Sequence, residues 1–287
     1  MSIAYYNGQF SKFDEVRIPL TDRCVFFGDG IYDAAIGKEG EIYLEEEHLN
    51  RFISNAKRLN ISMKLTKSEL SALLHRVIAE NECEQYFLYF QLTRYSPERL
   101  HAYPDSDKSN LLITIKSHTL PDYEKAIKLI SREDIRYSMC DVKTLNLLPA
   151  VLASRAAAEN GCDEAVFIRD GIVTECAHSN ISIVKDGILY TYPTDRFILP
   201  GIMRARMLRM CERLGIPYRE VGFSYENMTA ADEILVTSTT KLCLCASEID
   251  GKRIQNCKSE IGKQLISALK EDFLNYKNRP NSNSLNF

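Results

Sequence analysis

Apolar residues recur along the chain at two spacings, three-to-four and two, and the change from one to the other marks out the elements. Leu49, Phe52, Ile53, Ala56 and Leu59 step by three and four, which predicts an amphipathic helix starting near Glu46. Leu70, Leu73, Leu74, Val77 and Ile78 predict a second helix in the same way. Tyr86 to Thr93 is a run of β-favouring residues, and Leu111-Leu112-Ile113-Thr114-Ile115 is another. Between them lies a polar, proline-containing loop, Arg94 to Asn110. Tyr5-Tyr6-Asn7-Gly8-Gln9-Phe10 predicts a hairpin turning at Asn-Gly. The pattern breaks at Ser117 to Asp122, which divides the chain into a small N-terminal domain, 1–118, and a larger C-terminal domain, 122–287.

The second segment carries three Asp-Gly hairpin signals, Asp170-Gly171, Asp186-Gly187 and Asp250-Gly251. Two helices interrupt its strands. One runs from about Pro149, well placed in a first helical turn, to Asn160, with Gly161 as its stop. The other runs from Ile202 to Leu214, stopped by Gly215. Hairpin-paired strands with interspersed helices predict an α+β (mixed α/β) fold rather than a doubly wound parallel sheet. Asn278 to Ser284 is expected to fray.

Composition narrows the function classes. Thirty-six Lys and Arg against 39 Asp and Glu give a net charge of −3, so no global basic field exists to hold a nucleic acid. Apolar runs such as Leu147 to Ala153 are far too short to span a membrane, and Met1 to Gly8 lacks the pattern of a secretory signal. The nine cysteines are scattered without a Cys-x-x-Cys pair, so zinc and dithiol chemistry lack their spacing and no metal is expected. Cys243 and Cys245, two apart on a strand, read as core. Free thiols fit a reducing cytoplasm.

Gly28-Asp29-Gly30 has two glycines of a dinucleotide fingerprint, but Asp33 stands where the third belongs, and tight-turn glycines remain. No Gly-x-Ser-x-Gly elbow is present. Lys143 ends an extended segment before an apolar helix. Walled by leucine and valine, its amine would lose solvation and favour the neutral, nucleophilic form, as a Schiff base with an aldehyde requires. The other reading is a lysine whose stem packs while its head reaches water. Glu175 alternates with Val173, so its carboxylate would face where apolar side chains face and would need a cationic partner, such as a protonated pyridine nitrogen. Arg51 on the first helix, the hydroxyl-rich strand end Thr237-Ser238-Thr239-Thr240 and the helix start Gly201-Ile202-Met203 are each suited to a phosphate.

Taken in order, these pieces resemble a known family. Gly28-Asp29-Gly30-Ile31-Tyr32, His48-Leu49-Asn50-Arg51, Lys143-Thr144-Leu145-Asn146, Thr174-Glu175 with Ser179-Asn180, Leu199-Pro200-Gly201-Ile202 and Thr237-Ser238-Thr239-Thr240 follow the order of the class IV, fold-type IV pyridoxal-phosphate-dependent aminotransferases. The resemblance runs from about residue 3 to about 255 and is nearest the D-amino-acid branch.

It implies a two-domain fold with pyridoxal 5′-phosphate as cofactor. Lys143 would be the Schiff-base lysine and proton shuttle, and Glu175 the partner of the pyridine nitrogen. Arg51, Thr239 and the backbone amides of Ile202 and Met203 would hold the phosphate, with Arg136 near the phenolic oxygen. Arg99 and His101 in the 94–110 loop, with Tyr32, would trap the substrate carboxylate, and that loop would reach the partner's site in a homodimer. The implied reaction is ping-pong aldimine/ketimine transamination between D-amino acids, D-alanine foremost, and 2-oxo acids. Branched-chain L-amino acid transamination and aminodeoxychorismate lyase activity are the alternatives on the same fold. The chain departs from the family pattern at Asp33, at Cys176-Ala177-His178, at Met203 and at Lys241.

Overall fold

A computed structural model of the protein describes residues 2–103, 105–254 and 260–277. The tail expected to fray, Asn278 to Ser284, and Cys257 lie outside the described residues. The chain forms two compact units. The first is not one stretch of chain: it holds Met1–Thr119, the short piece Val142–Asn146 and Tyr276. The second holds Leu120–Asp141 and Leu147–Asn275.

The first unit is built on six strands, β1 (Ile3–Tyr6), β2 (Gln9–Lys12), β3 (Gly30–Lys38), β4 (Glu41–Ile42), β5 (Gln85–Arg94) and β6 (Ser109–Ser117). They pair antiparallel throughout in the order β2-β1-β6-β5-β3-β4. The β1–β2 hairpin turns at Asn7 and Gly8, both at positive φ. Helix α1 (Cys24–Phe27) is one turn, capped by Gly28 at φ 60°. Helices α2 (Glu45–Arg58) and α3 (Lys67–Ala79) cover one sheet face. Glu45, Glu46 and Glu47 favour the N-terminal end of α2, and a Thr66–Glu69 capping box starts α3.

Strand alternation decides which side chains meet the helices. Ile31 and Ala35 of β3 and Leu88, Phe90 and Leu92 of β5 enter the core with Leu49, Phe52, Leu70 and Leu74. Phe52 and Phe90 meet edge to face, centroids 4.8 Å apart. Tyr32, Tyr89 and Gln91 therefore occupy the opposite face.

The second unit is a ten-stranded mixed sheet. Its strands are β7 (Ile127–Glu133), β8 (Glu164–Arg169), β9 (Ile172–Cys176), β10 (Asn180–Lys185), β11 (Ile188–Thr191), β12 (Tyr218–Glu220), β13 (Phe223–Ser224), β14 (Glu233–Ser238), β15 (Leu242–Ile249) and β16 (Lys252–Arg253). The order is β12-β11-β10-β14-β15-β7-β8-β9-β13, with β16 on β15. Pairs β7–β8, β7–β15 and β11–β12 are parallel and the rest antiparallel. All three Asp-Gly turns form, with Asp170, Asp186, Asp250 and their glycines at positive φ.

Helices α4 (Leu148–Glu159), α5 (Ile202–Leu214), α6 (Tyr225–Thr229) and α7 (Glu260–Leu274) complete the unit. Both expected helices begin and end within a residue of their sequence signals, Gly215 closing α5 at φ 70°. Helix α7 is an addition, although Leu265, Ala268, Leu269 and Phe273 do step at helical spacing and are all buried. Cys243 and Cys245 are buried in β15, as their spacing predicts.

Candidate active site

The residues expected to carry chemistry fall into one set in each unit. In the first, Lys143 does not end an extended segment. It sits in an irregular piece of chain laid against β3, where Tyr32 N donates to Lys143 O at 3.0 Å and Thr144 bridges Ile31. Gly30 makes room for this approach: a Cβ there would press on Leu145 Cδ1 and Thr93 Cγ2 at 2.8 Å. Leucine and valine do not wall the amine. Val142 is buried in the core, but Leu147 and Leu148 are exposed, and the group beside the half-buried Lys143 is an aromatic ring. Its Nζ donates to the Tyr32 hydroxyl at 3.3 Å and stands 4.3 Å from that ring's centroid. Tyr32 stacks on Tyr89, whose hydroxyl donates to Gln91 Oε1 at 2.7 Å.

The next residue of β3 turns the other way. Asp33 is fully buried and takes a two-pronged ion pair from Arg51, Nε to Oδ2 and Nη2 to Oδ1, each 2.8 Å. His48 Nδ1 lies 2.8 Å from Asp33 Oδ1. Burial would raise the Asp33 carboxyl, but Arg51 and His48 outweigh it and hold the group well below the usual carboxylate range. Burial pushes His48 below its ordinary value, so the ring is the neutral tautomer donating from Nδ1. Tyr32 and Lys143 thus come together on one face of β3, and Arg51 is held on the other.

Arg99 and His101 follow β5 in an exposed loop, and Phe27 of α1 brings them together. The Arg99 guanidinium lies 5.0 Å from the Phe27 centroid, and the His101 ring meets the same ring edge to face at 5.2 Å.

In the second unit the simple alternation along β9 fails, for a local reason. Val166 pairs with Cys176 but Ile168 pairs with Val173, so β9 spends three steps where β8 spends two. This bulge inserts one residue, so Val173 and Cys176 both enter the core shared with Val166 while Glu175 turns away from it. Glu175 is buried and meets Arg136, which lies 4.4 Å from the Phe167 centroid in a separate core cluster. Arg136 Nη1 donates to Glu175 Oε1 at 2.5 Å, while Asn180 Nδ2 and the Leu199 amide donate to Oε2 at 3.0 and 3.1 Å. The cation that burial demands is therefore a side chain of the chain itself.

Arg136 is anchored in turn. Its Nε and Nη2 donate to the two oxygens of Asp134 at 2.9 Å, and Nη2 also to Phe197 O. Burial works against the charged guanidinium, yet Asp134 and Glu175 raise its pKa further. Asp134, pushed up by burial, is held below its ordinary value chiefly by Arg136.

Asn180 links this carboxylate to a helix start. Its side chain donates to Leu199 O at 3.0 Å, and a Cβ at Gly201 would collide with its Oδ1. Gly201 is the N-cap of α5 and offers no side-chain cap, so the first N–H groups, those of Ile202 and Met203 included, face outward from a 13-residue helix. Asn180 pairs across β10 and β14 with Thr237, whose buried hydroxyl has no hydrogen-bond partner among the described residues, and Thr239 follows in the half-buried turn at 239–241. Glu175, Asn180, the α5 start and the hydroxyl turn therefore lie at one end of the sheet. Asn180, Asp134 and Tyr89 carry no assigned role in the sequence reading. Of these, Asn180 had a signal in the Ser179-Asn180 block of the resemblance, and Tyr89 in strand alternation, which puts it on the Tyr32 face.

The profile of the family described as Amino-transferase class IV matches residues 30–249. A D-alanine aminotransferase of Staphylococcus epidermidis is 35% identical over 259 residues, which is 89% of this chain and 92% of that protein. The chain belongs to the class IV aminotransferases. A D-alanine aminotransferase of Listeria monocytogenes serotype 4b is 34% identical over 257 residues, 88% of this chain and 89% of its own. Among solved structures, the T.th. branched-chain amino acid aminotransferase with pyridoxamine 5′-phosphate superposes with a TM-score of 0.89 at 20% identity, covering 95% of this chain and 94% of that one. A putative 4-amino-4-deoxychorismate lyase from Legionella pneumophila gives 0.83 at 23% identity, covering 90% and 96%. These two share the fold.

Class IV aminotransferases work with pyridoxal 5′-phosphate, and this chain takes that cofactor. The residues fit it. A primary amine stands on Lys143, a buried carboxylate is fixed at Glu175, and an uncapped helix start lies near the orphaned Thr237 hydroxyl. Among the described residues no three His, Cys, Asp or Glu are grouped to hold a metal ion, and no helix is long and apolar enough to cross a membrane.

Proposed function

We propose that this class IV aminotransferase interconverts D-amino acids, D-alanine foremost, with 2-oxo acids, acting as a homodimer in the cytoplasm. The observation that carries the substrate reading is the Arg99-x-His101 pair gathered on Phe27. A guanidinium fork there is suited to a substrate carboxylate, with His101 adding a donor. The D-alanine aminotransferases at 34–35% identity support the same branch. Exposed Phe13, Leu20, Val25 and Phe26 on the first unit support a second copy covering that surface, and the free cysteines suit a reducing compartment.

The cofactor, when bound, supplies an aldehyde for a lysine amine and a protonated ring that accepts an electron pair from the substrate Cα. Lys143 Nζ is the attachment point. Once released, it is the base that takes the Cα proton and the acid that returns one in the reverse half-reaction. Tyr32 orients that amine and adds a hydroxyl for the substrate carboxylate. Glu175, fixed by Arg136, Asn180 and the Leu199 amide, is the acceptor for the ring N–H. Arg51, Thr239 and the amides of Ile202 and Met203 are assigned to the phosphate. Arg136, expected near the phenolic oxygen, also positions Glu175, since Nε, Nη1 and Nη2 donate to Asp134, Glu175 and Phe197 O.

The near-visible spectrum of cofactor-loaded protein tests the reading. Bleaching by D-alanine and not by L-leucine is expected. Bleaching by L-leucine alone would move the protein to the branched-chain reaction, and pyruvate release from aminodeoxychorismate would make it a lyase.

A further inference from the structure

Arg99 and His101 stand in an exposed loop between β5 and β6, and a loop of that length samples many backbone conformations unless something ties it down. A guanidinium that must meet a carboxylate with two parallel hydrogen bonds tolerates little of that freedom. The tie is visible. Arg23, only 5% exposed, precedes α1, and its Nη1 and Nη2 donate to two successive loop carbonyls, Leu100 O and His101 O. Its Nε donates to Asp29 Oδ2 at 2.7 Å.

The anchorage is shared. Arg94, at the root of the loop, also donates from Nε to Asp29 Oδ2, at 3.0 Å, and its guanidinium lies 3.6 Å from the Tyr103 centroid. Arg23 N donates to Arg94 O at 3.0 Å, and the Arg23 guanidinium stands 4.5 Å from the Phe27 centroid, the ring that also meets Arg99 and His101. Asp29 thus neutralises two cations at once, and one of them grips the loop backbone on both sides of His101.

We propose that Arg23 is a positioning residue for substrate binding: it fixes the backbone that carries Arg99 and His101 and so sets the direction of the carboxylate-binding pair. The proposal rests on the assignment of that pair to the substrate carboxylate. Arg23 itself touches no substrate. A lysine would keep the charge beside Asp29 but lacks the planar fork that reaches two carbonyls, so Arg and Lys are not equivalent here.

The test uses the full-length, cofactor-loaded protein with D-alanine and 2-oxoglutarate. Arg23→Gln and Arg23→Lys are expected to raise KM for D-alanine about tenfold, with a smaller change in kcat and no change in the absorption of bound cofactor. Trypsin should cut after Arg99 several times faster in either variant, a readout independent of turnover. In an Arg99→Ala background the Arg23 substitution should add little further to KM, because it acts through that side chain. Arg23→Lys retains the ion pair and carries the test should Arg23→Gln fail to fold. Unchanged KM and unchanged tryptic cleavage in folded Arg23→Lys would overturn the proposal. If Arg99→Ala itself leaves KM unaltered, the carboxylate assignment falls instead, and faster cleavage still measures the hold of Arg23 on the loop.

Discussion

Arg136 reaches Glu175 because a bulge in β9 sets two residues, Thr174 and Glu175, against one of β8. The Thr174–Glu175 step opposes Phe167 alone, and that extra residue swings the carboxylate from the Val173 side to the side where Arg136 lies over Phe167. Glu175 is buried, the Arg136 side chain is only 12% exposed, and both partners have further hydrogen bonds, which is the condition under which such a pair holds its place away from water.

Removing only the cation should therefore be costly. Arg136→Met leaves Glu175 and Asp134 buried without their guanidinium, and a loss of about 3–5 kcal/mol in urea unfolding is expected. Arg136→Met with Glu175→Gln should regain part of it. A double variant no more stable than the single one would contradict this.

Lys143→Ala should reduce turnover by at least about 1000-fold, because no second amine replaces the base. Borohydride reduction of loaded wild type should add the cofactor's mass to the peptide that contains Lys143, and the variant should show no such adduct. An adduct elsewhere in the wild type would remove Lys143 from its assigned role.

Acid should unfold the protein in two stages that belong to the β3–α2 junction. His48 has a folded pKa below its unfolded value of about 6.5, so the unfolded chain takes the proton first and stability declines as pH falls below that value. Asp33 is depressed too, so its contribution is present above about pH 4 and is lost as pH falls further. His48→Asn keeps a donor for Asp33 and should remove the first stage, worth at most about 1.4 kcal/mol per pH unit. Equal slopes for the two proteins between about pH 7 and 5 would show that His48 is not the group titrating.

Gly201→Ala drives a methyl group into Asn180 Oδ1. Asn180 must then shift away from Glu175 and Leu199, and the α5 start shifts with it. Cofactor affinity is expected to fall about tenfold, with a smaller change in thermal stability. Equilibrium dialysis of pyridoxal phosphate reads this directly, and unchanged affinity would separate the α5 start from the phosphate.

Most of the fold was legible because its signals are local. The spacing of Leu49 to Leu59, the Asp-Gly turns and the glycines after α4 and α5 each act within a few residues, and the elements formed where they pointed. The less legible features depend on pairing between distant segments. A bulge is a mismatch between two strands, so nothing within Ile172–Cys176 announces it. The surroundings of Lys143 were misread for a similar cause: its sequence neighbours are aliphatic, but its spatial neighbour is Tyr32, 111 positions earlier. Asp33 gave a sign, as a departure from the family pattern, but its partners Arg51 and His48 arrive from another element.

The piece Val142–Asn146 also bears on how the protein is made. It clusters with strands that leave the ribosome long before it, through the Ile31–Thr144 bridge and the Leu145 amide on Gly30 O. The first unit is therefore unfinished when Thr119 emerges, and β3 waits with those groups unpaired until more than twenty further residues have been translated. A nascent chain stalled at Thr119 should be more sensitive to protease than one stalled well beyond Asn146. The step that pairs these groups of β3 during synthesis is the one that delivers the unit's lysine.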